Sequence, residues 1–149
     1  MNNDAIGVFD SGIGGLTAVK ELNKLLPNEN IIYFGDTARV PYGSRSRETV
    51  MKYARQDVEF LRKHKIKMII AACGTVSSVI GTKPLVDDMP FTGVILPAVQ
   101  AACSATKNGR ICKKYKLAYI CGRKSVSFIC SSGRKRIYGQ KQQNNTARS

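Results

Sequence analysis

Four times before residue 106 the chain alternates a short apolar run with a segment of helical periodicity. That rhythm predicts an α/β fold with right-handed crossovers and a parallel sheet. Ala5-Ile6-Gly7-Val8-Phe9 is apolar on both faces, as a central parallel strand must be. Leu16, Val19, Leu22 and Leu26 then recur at helical spacing until Pro27. Ile31-Ile32-Tyr33-Phe34 is the second strand, and a long helix is expected from about Ser46 to His64, with Val50, Ala54, Val58 and Leu61 on one face. Lys67 to Ala72 is the third strand, and a short helix carrying Val76, Val79 and Ile80 follows it. Phe91 to Ile95 is the fourth strand. A helix of small residues starts at Pro97 and runs to about Ala105, before the turn signal Asn108-Gly109.

In a parallel sheet the carboxyl ends of the strands share one edge, and the crevice beyond that edge is where such folds build sites. Three strand ends deliver chemistry there. The first is Asp10-Ser11, followed by the glycine turn Gly12-Ile13-Gly14-Gly15; the second is Asp36; the third is Cys73-Gly74-Thr75. The glycine turn lacks the full G-x-G-x-x-G spacing and the G-K-[ST] ending of a phosphate loop. Cys73 precedes a helix, whose partial positive charge suits acid/base chemistry at sulfur, but free cysteine is also among the most buried residue types. From position alone it stands open as either a reactive or a structural thiol. Tyr42 is likewise either a site residue or a packing aromatic, and Asp36 either a site residue or a turn former. No metal site is expected, because the only histidine, His64, lies on a lysine-rich helix end.

These motifs resemble those of glutamate racemases, in the aspartate/glutamate racemase family. Val8-Phe9-Asp10-Ser11-Gly12-Ile13-Gly14-Gly15-Leu16-Thr17 is similar to the family's opening. Tyr33 to Gly43 is similar to its second signature, and Ala71-Ala72-Cys73-Gly74-Thr75 to the segment that holds its first catalytic cysteine. The similarity runs over about residues 4–110. It implies a racemase-like first domain and cofactor-free interconversion of L- and D-glutamate for peptidoglycan synthesis; a reducing cytoplasm is the default read from the cysteines and the lack of a signal-like N-terminus. Inversion takes a proton from one face of the α-carbon and returns one to the other, so two acid/base groups must flank the substrate. The family uses two cysteines, one from each of two similar α/β domains. The resemblance implies that Cys73 is one of these thiols and that Asp10 assists it. It implies that Asp10, Ser11, Tyr42, Gly43, Gly74 and Thr75 hold the polar groups of glutamate.

Two departures stand out. The family usually has Asn where this chain has Gly74, and losing one such polar contact costs roughly 1–3 kcal/mol. The Cys-Thr-His motif that carries the family's second cysteine is absent, and Cys103, Cys112, Cys121 and Cys130 sit in no matching context. The expected organisation is an incomplete racemase-like α/β domain over 1–110, with an irregular basic tail over 111–149.

Charge marks the same boundary. Of the chain's 24 Lys+Arg and 10 Asp+Glu, residues 111–149 hold 10 basic residues and no acid. Leu117-Ala118-Tyr119-Ile120 and Val126-Ser127-Phe128-Ile129 are candidate short strands, and Gln140 to Ser149 reads as polar and disordered. Cys112, Cys121 and Cys130 lack any C-x-x-C pair or histidine, which argues against zinc. Loss of both resemblance and acids after Gly109-Arg110 is the pattern of an out-of-frame translation; translating the downstream DNA in the other two frames tests it. With one of two thiols, the chain is expected to have little or no racemase activity, and with strands missing it is expected to self-associate. Five cysteines without a signal-like N-terminus argue against a disulfide framework, and no apolar run is long enough to span a membrane. The competing class is a non-enzymatic protein whose tail, with Arg134-Lys135-Arg136, holds nucleic acid or acidic partners. A charge run is more often simply solvated, so nucleic acid is not the expected partner.

Overall fold

The computed structural model describes residues 3–81 and 83–105, and the backbone of four further strands. The chain forms two compact units, 1–97 and 98–149. In the first unit the strands β1 (Ala5–Asp10), β2 (Ile31–Gly35), β3 (Ile66–Ala71) and β4 (Phe91–Gly93) form a parallel sheet in the order β2-β1-β3-β4. The predicted α/β alternation and parallel sheet are both present. β1 lies between two partners, and every one of its residues is buried, which is why its sequence is apolar on both faces.

Helices α1 (Leu16–Leu25), α2 (Arg47–Leu61), α3 (Gly74–Ile80) and α4 (Ile95–Ala105) follow the strands in turn. α2 starts where the Ser46 hydroxyl accepts from the Thr49 amide at 3.2 Å, a side-chain cap for one of the helix's unpaired donors. Its predicted face, Val50, Ala54, Val58 and Leu61, is buried as read. Together with Phe9, Ile69, Ala71, Val76 and Ile80 it makes the core. Gly7 matters here: a side chain on it would come within 3.3 Å of the Leu61 methyl, so its absence lets α2 settle close to β1.

The helical spacing of Leu16, Val19 and Leu22 is realised as α1, but no residue of α1 is buried and Leu16 remains 48% exposed. α1 crosses over to β2, an edge strand whose own residues are only half-buried, so the helix has little apolar surface to lie on. The last helix begins at Ile95 rather than Pro97, and the fourth strand ends at Gly93 rather than Ile95. Proline is tolerated in a first helical turn because its missing N–H has no intrahelical partner there.

In the second unit β5 (Arg110–Ile111), β6 (Leu117–Gly122), β7 (Ser125–Cys130) and β8 (Lys135–Gly139) pair antiparallel in chain order. The two candidate strands at 117–120 and 126–129 fall inside β6 and β7, and Tyr119 stands opposite Phe128. The flanking strands were not foreseen. Asn108-Gly109, Cys112, Arg134 and Gln140 to Ser149 lie outside the described residues. No helix among the described residues is long and apolar enough to cross a membrane.

Candidate active site at the carboxyl edge of the sheet

β1 ends at Asp10, which is buried. The turn after it folds back onto its carboxylate: Oδ1 accepts from the Ser11 amide and Oδ2 from the Gly15 amide, each at 2.8 Å. Gly15 permits this approach, because a Cβ there would stand 2.9 Å from the Cβ atoms of both Asp10 and Ala72. Gly35, at the end of β2, is needed for a similar reason: its Cβ would lie 2.4 Å from the Gly12 carbonyl oxygen. That same oxygen accepts from the Tyr33 hydroxyl at 2.7 Å. Burial first, then the neighbouring Asp10 and Cys73, pushes Tyr33 above the ordinary phenol range, so it remains a donor at any physiological pH. Two glycines and one phenol thus pin the turn that aims Asp10.

The sheet ladder carries on into the site. The Asp36 amide donates to the Asp10 carbonyl at 2.9 Å, and the Ala72 amide to the Phe9 carbonyl at 2.8 Å. Cys73 therefore leaves β3 beside Asp10, at the N-terminal boundary of α3. Cys73 is 2% exposed, and its thiol donates to the Ser11 hydroxyl oxygen at 3.4 Å. The Ser11 hydroxyl lies 3.5 Å from Asp10 Oδ1, at the limit of a hydrogen bond. Cys73, Ser11 and Asp10 thus form a short chain of polar contacts. Gly74 and Thr75 start α3; Gly74 is exposed, with nothing within 4 Å of the point a Cβ would occupy. The corresponding point on Gly43 is 3.8 Å from Thr75 Oγ1. Asp10, Ser11 and Cys73 are therefore brought together directly, and Gly43 and Thr75 face each other nearby in the fold.

Tyr42 is placed differently. It opens a single 3-10 turn (Tyr42–Ser44) after the cis Val40-Pro41 bond, and its side chain is buried. The hydroxyl points inward, donating toward Asp36 Oδ2 and Asp57 Oδ2, the latter at 2.9 Å. Arg39 joins both acids, with Nε 2.6 Å from Asp36 and a terminal nitrogen 3.0 Å from Asp57. It also donates to Gln56 and lies 4.3 Å over the Tyr53 ring. Burial above all, with the two acids adding to it, pushes the Tyr42 phenol far up. Asp57 is pushed up to about 6, chiefly by burial and further by Asp36, while Tyr42 and Arg39 pull it back.

Sequence reasoning missed Asp57 and Arg39. A signal for Asp57 was present: it sits seven residues after Val50 and three after Ala54, inside the apolar stripe of α2. A carboxylate there must have a buried partner. Among the described residues no group of three or more His, Cys, Asp and Glu side chains is assembled to hold a metal ion.

No family model matches the chain. A glutamate racemase from Chlorobaculum tepidum is 52% identical over 112 residues, which is 74% of this chain and 41% of that protein. Among solved structures, glutamate racemase isoform RacE1 from Bacillus anthracis superposes with a TM-score of 0.69 at 40% identity, covering 73% of this chain and 41% of that one. The Francisella tularensis glutamate racemase, solved in complex with D-glutamate, gives 0.61 at 47% identity, covering 70% and 40%. The chain thus spans about two-fifths of the length of the relatives it matches. The matches cover its N-terminal part only. In sequence and in fold, the N-terminal part of this chain is similar to about two-fifths of the length of glutamate racemases.

Proposed function

We propose that this chain carries one half of a glutamate racemase active site, for cofactor-independent interconversion of L- and D-glutamate. Cys73 is the acid/base thiol for one face of the α-carbon, and Asp10 assists it. Ser11, Gly43, Gly74 and Thr75 line the place for the amino acid's polar groups, and Tyr42 supports that place from behind. The observation that carries the reading is the contact of Cys73 with Ser11, and of Ser11 with Asp10, at adjoining strand ends. In the reaction the thiolate form of Cys73 accepts the α-proton, and a second acid on the opposite face must donate one to the carbanion. The peptide segments of this chain that match the family supply only the first of these groups. The division at about residue 110 and the cell-wall role in the cytoplasm belong to the same proposal.

The test is a racemisation assay on the purified chain, following D-glutamate formed from L-glutamate. Turnover far below that of a full-length racemase is expected, and the residual rate should vanish in Cys73→Ala. Turnover equal to a full-length enzyme would overturn the half-site reading.

A further inference from the structure

Asp10, Ser11 and Cys73 rest on strand ends, whereas Tyr42 and Gly43 sit on a loop that must be held by other means. What holds it is a carboxylate for which the packing of α2 has no need. Asp57 is wholly buried in the stripe formed by Val50, Ala54, Val58 and Leu61. An aliphatic residue would pack there without the desolvation cost of an acid. Instead one Asp57 oxygen takes the Tyr42 hydroxyl at 2.9 Å and the other takes Arg39 at 3.0 Å. Asp36, also buried, lies against the same hydroxyl and the same guanidinium.

The proton count is what makes the cluster informative. Tyr42 has one hydroxyl proton, and two carboxylate oxygens stand against it. Both contacts are hydrogen bonds only if one carboxyl group supplies a second proton. With that proton the set of Arg39, Asp36, Asp57 and Tyr42 is neutral overall. Without it, a net negative charge is buried and two acceptors compete for one donor. We propose that Asp57 is a positioning residue, which shares a proton with Asp36 through the Tyr42 hydroxyl and thereby fixes the Tyr42–Gly43 turn against Thr75. The significance of that turn rests on the racemase reading above; the network itself does not. The groups facing Asp57 are Tyr42 from the turn and Arg39 and Asp36 from the loop before it, with Gln56 and Tyr53 of α2 on the far side of Arg39. Any titration therefore belongs to the set as a whole.

The experiment is amide NMR of the full-length chain, following Gly43 from about pH 4.5 to about pH 8. The wild type should show a single step at Gly43 near pH 6. Asp57→Asn keeps the side-chain shape but holds no titrating proton, and should flatten that step. Tyr42→Phe keeps the ring and should also flatten it, while the Asp57 carboxyl carbon still titrates. Two results would overturn the proposal: a flat Gly43 in the wild type, or a step unchanged in both variants. The readout needs no turnover, so the Gly43 step tests the network by itself, while the racemisation assay separately tests the half-site reading.

Discussion

Two polar clusters, joined where the Asp36 amide donates to the Asp10 carbonyl, are held by opposite means. The Asp10 carboxylate is bound by backbone amides of the turn that follows it. The Asp57 carboxylate is bound by side chains, a phenol and a guanidinium, from a separate loop. Backbone donors are fixed by the sheet and the glycines, carry no net charge and do not titrate. Side-chain donors carry charge and protons, and their geometry survives only while the proton count is right. The first arrangement holds its carboxylate in place whatever the protonation state of neighbouring side chains. The second suits a brace whose state is set by its surroundings.

The largest expected break in this comparison is at the brace. Asp57→Ala leaves Arg39 and Tyr42 facing a buried gap and should destabilise the first unit by on the order of 3 kcal/mol, read from denaturant unfolding. Asp57→Asn should be milder, and it sharpens the sign. The carboxyl group of Asp57 is raised from 3.8 to about 6 in the folded chain. Its stabilising contribution is thus complete below the unfolded value and lost as pH rises through 6. Relative to Asp57→Asn, the wild type should lose stability as pH rises from about 4 to about 6; a constant difference over that range would count against the shared proton.

Next in size is Asp10→Ala, which strands the Ser11 and Gly15 amides and should cost about 2 kcal/mol. Smallest is Gly74→Ala. Nothing lies within 4 Å of its added methyl group, and alanine favours the helix that starts there, so unfolding should shift by about 0.5 kcal/mol toward greater stability. A clear loss of stability at Gly74 would show that the open space beside Cys73 is needed by the fold itself.

The frame of the first unit was readable because its strands and α2 obey simple periods. Val50, Ala54, Val58 and Leu61 are buried where a 3.6-residue repeat puts them. The shared edge of Asp10, Asp36 and Cys73 followed from parallel order alone. What could not be read depends on tertiary information. The periodicity of Leu16, Val19 and Leu22 is real, but an edge strand offers α1 too little surface. Asp57 went unread because only the apolar members of its stripe were counted, although a lone acid among them is itself a signal. The inward turn of the Tyr42 hydroxyl depends on that acid and was not accessible without it.

The order β2-β1-β3-β4 has a consequence for the lifetime of the site. Asp10 and Cys73 follow the two inner strands, and the outermost strand β4 is only three residues long. Edge strands fray through low-energy local openings, whereas an inner strand with every residue buried releases its amide protons only when the whole unit comes apart. Deuterium should therefore enter β4 and β2 long before it enters β1. The backbone that aims the thiol and its neighbouring acid would then be among the last parts of the unit to open.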